Sequence, residues 1–498
     1  MTQTEIFDNS STICAVSTPA GCGGLAVIRV SGPKAIEIVG KVWRGKSPAS
    51  FASHTAHLGE IVDPQHDGET IDQCVATIFR APNSFTGEDV IELSVHGSRW
   101  IQREVLSLLV SQGCRIALPG EFTRRALMNQ RLDLAQAEGV ADTIAASSRA
   151  AHHLAQQQLS GGYSAKINSL RDKLIELASL LELELDFSEE DVEFADRGRL
   201  RSLATEIEGL LARLLRSYSS GAAIKDGIPV AIVGPTNAGK SSLLNALLDS
   251  DRAIVSDIPG TTRDTIEETV EIGDYLFRFI DTAGLRDTSD PIERLGIERS
   301  RQAIARARII IAVIDPTASV PGLDTLAEAT ASLHEDASVI AFINKSDICD
   351  PTATKKLITG KLDRPQISSD SAQKEPGTRF QIISGSAKNE TGEKIQIISG
   401  SAKNGQIGQL INALTSTVAT NVPGETDDLI LTNARHADAI SHALSDIRDT
   451  IVSLDQGVPP EFTAQSLRQA ISHLSSITSP ITPQTLLNNI FKNFCIGK

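Results

Sequence analysis

One stretch limits what this chain can fold into more than any other. Gly234-Pro-Thr-Asn-Ala-Gly-Lys-Ser-Ser242 follows the apolar run Pro229–Val233 and precedes Leu243-Leu-Asn-Ala-Leu-Leu248. The order is strand, glycine loop, helix start. Such a loop turns the backbone N–H groups of Asn237, Ala238, Gly239 and Lys240 toward one point, and the helix N-terminus adds a favourable dipole for a phosphate. Lys240 supplies a point charge for the β- and γ-phosphates, Ser241 offers a hydroxyl to Mg²⁺, and Ser242 extends the cradle. An α/β unit with a P-loop is therefore expected around this segment.

Three later segments stand in the order that a GTPase requires. Ser256, Asp257, Ile258, Pro259, Gly260, Thr261 and Thr262 form a switch-like stretch, with Thr262 as the second Mg²⁺ ligand. Asp281, Thr282, Ala283 and Gly284 follow the strand-like Tyr275–Ile280; the carboxylate suits a Mg²⁺ water and the Gly284 N–H a γ-phosphate. Asn344, Lys345 and Asp347 follow the apolar run Val339–Ile343, and the Asp347 carboxylate can accept from guanine N1–H and N2–H₂. Adenine lacks those two donors, so ATP would leave the carboxylate unpaired.

At 498 residues the chain is too long for one ordinary core. Residues 1–125 read as a small α+β domain, with strands at Leu25–Val30, Val75–Phe79 and Val90–Val95 and helical spacing over Lys34–Trp43 and Ile101–Leu109. From Leu132 long helices take over: Leu170, Leu174, Leu177, Leu181 and Leu185 recur at helical spacing, and Ile440, Leu444, Ile447, Ile451 and Leu454 repeat the rhythm. The expected division is a helical domain in two parts, 126–224 and 423–498, with the GTPase unit inserted over 225–422.

Gln381–Asn389 recurs residue for residue as Gln396–Asn404. Only one copy can serve as the loop that packs against guanine, and Ser401, Ala402 and Lys403 are favoured because the helix-like Ile407–Val418 follows directly. Asp350–Arg379, rich in Pro, Thr, Ser and Lys, reads as an exposed insertion.

The six cysteines form no CxxC pair, which argues against zinc and against a disulfide framework. A formal charge of −15 opposes nonspecific wrapping of nucleic acid. No run reaches the length of a membrane span, and the acidic N-terminus fits neither a secretory signal nor a transit peptide, so a cytoplasmic location is expected.

Residues outside the nucleotide motifs resemble one family. Ser17–Gly32, Pro82–Asp89, Pro119–Ala126, Arg131–Glu138 and the terminal Phe494-Cys-Ile-Gly-Lys498 look like the MnmE (TrmE) tRNA-modification GTPases. The resemblance implies a folate-binding N-terminal domain, an all-helical central domain with an inserted Ras-like P-loop GTPase domain, and a homodimer formed through the N-terminal domain. It implies joint work with the flavoprotein MnmG to install a carboxymethylaminomethyl group at C5 of the tRNA wobble uridine, with FAD and NADH held by MnmG.

Carried over by position, Arg29, Glu92, Arg131 and Lys498 match the family's site for 5,10-methylene- or 5-formyl-tetrahydrofolate. Guanidinium and ammonium groups suit the folate glutamate, and a carboxylate suits the pterin donors. Asn237, with oxygens from Ser256, Ile258 and Thr261, matches a K⁺ site that forms when two GTPase domains face each other. Leu285 stands where many GTPases carry a water-positioning Gln. Glu293 matches the family's catalytic carboxylate and acts there through a bridging water. Lys240, Glu293 and the switch residue Arg286 are the expected catalytic residues.

Two departures stand out: Cys22 occupies a position where members often carry Arg, and the duplicated Ser-Ala-Lys segment is unusual. Competing readings are a ribosome-assembly GTPase of the Era or Der type and a GTP-controlled scaffold. The first would carry a KH domain or a second GTPase domain, and neither is legible here.

Overall fold

The computed structural model describes residues 10–186, 197–250, 253–255, 267–280, 302–318, 323, 326–327, 337–362, 395–421, 429–479, 490–491, 494 and 497. The chain divides into two compact units: residues 1–144, 155–208 and 439–498 make one, and residues 145–154 and 209–438 make the other.

The first unit opens with a seven-stranded sheet. Its strands are β1 (Ile13–Val16), β2 (Leu25–Ser31), β3 (Trp43–Arg44), β4 (Thr55–Asp63), β5 (Glu69–Phe79), β6 (Val90–His96) and β7 (Arg115–Ile116), in the order β3-β4-β5-β6-β2-β1-β7. Alternation along β2 and β6 separates its faces. Ala26, Ile28, Val30, Ile91, Leu93 and Val95 point into a core with residues of α1 (Ala35–Lys41) and α2 (Arg99–Ser111). Arg29 and Glu92, directly opposite each other on β2 and β6, lie on the other face. That face meets a second, small core of Ile13, Ala15, Ala117 and Phe122, the last from α3 (Glu121–Met128).

Helices α4 (Leu134–Ala145), α5 (Arg149–Leu159), α6 (Gly162–Asp186) and α7 (Arg197–Asp226) follow. Leu170, Leu174, Leu177 and Leu181 are buried along α6, as their spacing requires.

The second unit holds the sheet that carries the nucleotide motifs. Its strands are β8 (Ile228–Val233), β9 (Ala253–Val255), β10 (Glu268–Ile272), β11 (Tyr275–Phe279), β12 (Ile309–Ile314), β13 (Ser338–Ile343) and β14 (Ile395–Ser399), ordered β14-β13-β12-β8-β11-β10-β9. Strands β14, β13, β12, β8 and β11 pair in parallel. A parallel sheet is covered on both faces, so its strands read as continuous apolar runs. Ile309, Ile311 and Val313 face Leu243, Leu244 and Leu247 of α8 (Lys240–Leu248), whereas Ile310, Ala312 and Ile314 face Ala303, Ile304 and Ala307.

Strand β8 lies between β12 and β11, where the strand order reverses. The crevice at the carboxyl end of such a strand is the ligand position of doubly wound sheets, and the glycine loop emerges there.

Helices α9 (Thr352–Leu362), α10 (Gly408–Asn421), α11 (Ala434–Gln456) and α12 (Pro460–Thr478) lie further along the chain. Two expectations need correction. The start of the supposed insertion is α9, which buries Ile358 fully in the core beneath the sheet. Trp43 is not helical: Val42 closes α1 through its N–H to Val39 O, and Trp43 pairs with Ile61 as β3.

Candidate functional site

The glycine loop has the geometry of a phosphate cradle. Gly239 adopts φ +97°, and a Cβ there would stand 2.2 Å from Asn344 Nδ2, so only glycine fits between loop and motif. Asn237 is also left-handed at φ 64° and its side chain is exposed. Asparagine is among the few residues besides glycine that adopt this region readily. Lys240 lays its ammonium on the loop, donating to Gly234 O and Pro235 O at 2.9 Å each. Burial pulls its pKa below the usual lysine value. The charge sits where the phosphates of a nucleotide would meet it, and Ser241 and Ser242 begin the helix beside it. These residues fit GTP.

Asn344 stitches the site together. Its Nδ2 donates to Ala238 O at 2.8 Å, and its Oδ1 accepts from Ala402 N at 3.0 Å. One buried amide thus joins the glycine loop to the second Ser-Ala-Lys copy, which leaves β14 alongside β13. The first copy lies outside the described residues. Ser401 and Ala402 are buried and Lys403 is exposed. A cleft of about 820 Å³ opens between α8 and this loop, lined by Ser242, Asn245, Ala402, Lys403, Gly405 and Asn412.

Sequence reasoning missed Asp315. Its carboxylate accepts from Lys345 Nζ at 2.6 Å and from Thr317 N and Oγ1 at 3.0 and 2.6 Å. Burial raises its pKa, but Lys345 and the Thr317 donors outweigh that, and the net shift is downward. The pair anchors Lys345, itself left-handed at φ 58°, and Asp347 stands exposed two residues on. The one mark of Asp315 in the sequence is an acid closing the apolar run Ile309–Ile314, which gains meaning only with Lys345 beside it.

Ser256, Asp257, Ile258, Pro259, Gly260, Thr261 and Thr262, together with Asp281, Thr282, Ala283, Gly284, Arg286 and Glu293, lie outside the described residues.

In the first unit Arg29 and Glu92 form an ion pair, with Nη2 to Oε1 at 2.7 Å and Nε to Oε1 at 2.8 Å. The Arg29 guanidinium carbon lies 5.3 Å from the centre of the Phe85 ring and 5.6 Å from that of Phe122, within cation–π range. Arg131 is exposed and packs beside Gly87 of the same loop as Phe85. The C-terminal tail reaches this domain: Ser17 Oγ donates to Gly497 O at 3.0 Å, at the end of β1 next to β2. Lys498 is outside the described residues.

Comparison with known proteins gives a consistent answer. The model of the GTP-binding protein TrmE N-terminus matches residues 12–131, and the MnmE helical domain model matches residues 134–495. The tRNA modification GTPase MnmE of Parabacteroides distasonis is 46% identical over 493 residues, 98% of this chain and 100% of the relative. The chain belongs to the MnmE family of tRNA modification GTPases.

The MnmE of Bacteroides fragilis is 44% identical over 98% of this chain and 100% of its own length. That of Porphyromonas gingivalis is 46% identical, covering 98% of each. Among solved structures, the G domain of the T. maritima FeoB iron transporter covers 39% of this chain and 99% of its own, at 20% identity and a TM-score of 0.24 too low to bear on the fold.

As an MnmE chain the protein is a GTP hydrolase, multidomain, with an N-terminal domain, a helical domain and a P-loop sheet. Among the described residues no helix is long and apolar enough to cross a membrane, and no cluster of metal-ligating side chains occurs. Cys22 is an exposed thiol, whereas Cys14, Cys74 and Cys114 are buried. Burial pushes the Cys74 thiol up to about 12.

Proposed function

We propose that this protein hydrolyses GTP to drive modification of tRNA at C5 of the wobble uridine, working with the flavoprotein MnmG and a reduced folate as one-carbon donor. The likeness to MnmE relatives over 98% of the chain supports the reaction. The observation that carries the folate reading is the aromatic-flanked Arg29–Glu92 pair, with the C-terminal tail bonded to the adjoining strand.

In this reading Lys240 and the loop N–H groups hold the β- and γ-phosphates, and Mg²⁺ would be held by Ser241, Thr262 and, through a water, Asp281. Asp347 reads the guanine edge while Asn344 and Ala402 fix the loops around it. Water attacks the γ-phosphorus, the bond to the β–γ bridging oxygen breaks, and GDP and phosphate leave. Leu285 cannot orient that water, so Glu293 does so through a bridging water and Arg286 supports the switch. Asn237, Ser256, Ile258 and Thr261 would hold a K⁺, which would supply the positive charge that an arginine finger supplies elsewhere.

The protein acts as a cytoplasmic homodimer paired through its N-terminal domain, in a heterotetramer with MnmG. Its domains are 1–125, 126–224 with 423–498, and the inserted 225–422. The carboxylate of Glu92, paired with Arg29, meets pterin donors at one end of the folate, and Arg131 and Lys498 meet the folate glutamate at the other.

The folate part predicts a separation of effects. Arg29→Ala weakens binding of 5-formyl-tetrahydrofolate about 10- to 100-fold, the equivalent of one charge-assisted hydrogen bond of roughly 1.5–3 kcal/mol. GTP hydrolysis stays within twofold of wild type. Titration calorimetry with the folate reads the first and phosphate release the second; unchanged folate binding would remove Arg29 from that site.

A further inference from the structure

The hairpin β10–β11 stands between the switch-like stretch 256–262 and the stretch 281–284, read above as meeting a Mg²⁺ water and a γ-phosphate and followed by the switch residue Arg286. Its tip is bonded to the start of α5. The Ala150 N–H donates to Asp274 O at 2.9 Å. Arg149 also faces the Asp274 carboxylate at 3.6 Å, but these side chains are 83% and 58% exposed and such a pair is worth little. The amide bond is the specific contact. Its donor is held in place by the helix cap: buried Ser148 accepts from Ala151 N through Oγ at 3.2 Å and from His152 N through its carbonyl at 2.9 Å. The first turn of a helix leaves donors without intrahelical partners, and here the hairpin tip takes one of them.

Helix α5 belongs to both compact units, its residues to Leu154 to one and those from Ala155 to the other. Its far end is fastened to α4 by buried contacts. Gln158, almost fully buried, donates from Nε2 to Ala135 O at 2.8 Å, and Gln136 donates from Nε2 to Leu159 O at 3.1 Å. The backbones touch at Gly139, where a Cβ would stand 2.9 Å from Leu159 N. Just before α4, Asn129 donates from Nδ2 to Thr86 O at 2.7 Å, in the loop that carries Phe85 against Arg29. Within one unit the hairpin tip is bonded to the start of α5, and within the other the end of α5 is bonded to α4, which follows the segment bonded to the loop beside the Arg29–Glu92 pair.

We infer that α5 is the coupling lever of this enzyme, with Ala150 and Gln158 as positioning residues: the Ala150–Asp274 bond reports the state of the switch hairpin, and the Gln158–Ala135 bond carries it into the N-terminal domain. The inference rests on the switch reading of the flanking stretches. Contiguity becomes coupling only when an element responds to one site and alters the other, so both halves need measurement.

Amide hydrogen exchange on the wild-type full-length chain tests the first half. Exchange of the Ala150 N–H should differ at least tenfold between GDP and a non-hydrolysable GTP analogue, while that of the Ala151 N–H, capped by Ser148, stays constant. Equal Ala150 rates in the two states would overturn the lever.

A matched pair of prolines tests the second half. Ala150→Pro removes the donor in the first helical turn, where proline is tolerated, and Arg149→Pro one position earlier keeps it. Arg149→Pro should retain both activities within twofold. Ala150→Pro should keep GTP hydrolysis within threefold and lose at least tenfold in tRNA modification, measured in cells that depend on the variant. The two prolines behaving alike, or a folded Ala150→Pro that loses hydrolysis, would contradict the lever. Should Ala150→Pro not fold, Gln158→Leu at the other end takes its place with the same expectation. If the wild type itself fails to support the modification, the functional reading falls, and the exchange comparison still decides on the lever.

Discussion

Lys240→Ala lowers kcat for GTP hydrolysis at least about a hundredfold, the cost of removing one preorganised charge from a transition state that gathers charge on phosphate oxygens. The ammonium already lies on the loop, bonded to Gly234 O and Pro235 O, so little reorganisation precedes its use. The same variant should melt within a few degrees of wild type. The two lost hydrogen bonds are offset by the removal of a cation whose pKa is lowered by burial. Phosphate release at saturating GTP, paired with a thermal melt, checks both statements. A kcat within tenfold of wild type would show that the loop backbone alone carries the phosphate, and a collapse in stability would make Lys240 a structural residue.

Asp347→Asn changes base choice rather than chemistry. The carboxylate accepts two donors from guanine, and an amide can accept only through its oxygen while its N–H₂ opposes a donor. With each charge-assisted bond worth roughly 1.5–3 kcal/mol, GTP affinity should fall by about a hundredfold or more. Xanthosine triphosphate, which presents a carbonyl at C2 where guanine presents an amine, should gain in relative affinity. Asp347 is exposed, so the substitution costs no stability. Competition between the two nucleotides for a fluorescent analogue reads the switch, and an unchanged preference would remove Asp347 from the base contact.

The parts of the fold that the sequence announced are those whose local pattern and tertiary role agree. Strands β8 and β13 are apolar runs because both faces are covered, and α6 buries Leu170, Leu174, Leu177 and Leu181, which its spacing singled out. Strand β4 was invisible because Ala56 and Leu58 on one side are exposed and Gly59 interrupts the other, leaving no alternation to read. Helix α9 was hidden by its composition: few of its residues are apolar, yet Ile358 meets the sheet and fixes the segment as core.

At the site, the motifs were legible but their wiring was not. Asn344 acts on Ala238 and Ala402, which stand 106 and 58 residues away in the chain. No local pattern encodes such distances. Asp315 was overlooked because an acid closing a buried strand becomes informative only when Lys345 is seen to reach it. The Arg29–Glu92 pair was named from resemblance alone, and the register of β2 against β6 supplies its physical reason.

The most direct test of the functional account is mass spectrometry of tRNA nucleosides from a strain lacking this gene, complemented with the wild-type chain or with Glu293→Ala. The account predicts that the C5 modification of the wobble uridine disappears on deletion and returns only with the wild type. A modification that survives deletion would contradict the account, and one restored equally by Glu293→Ala would show that hydrolysis is not what the reaction needs.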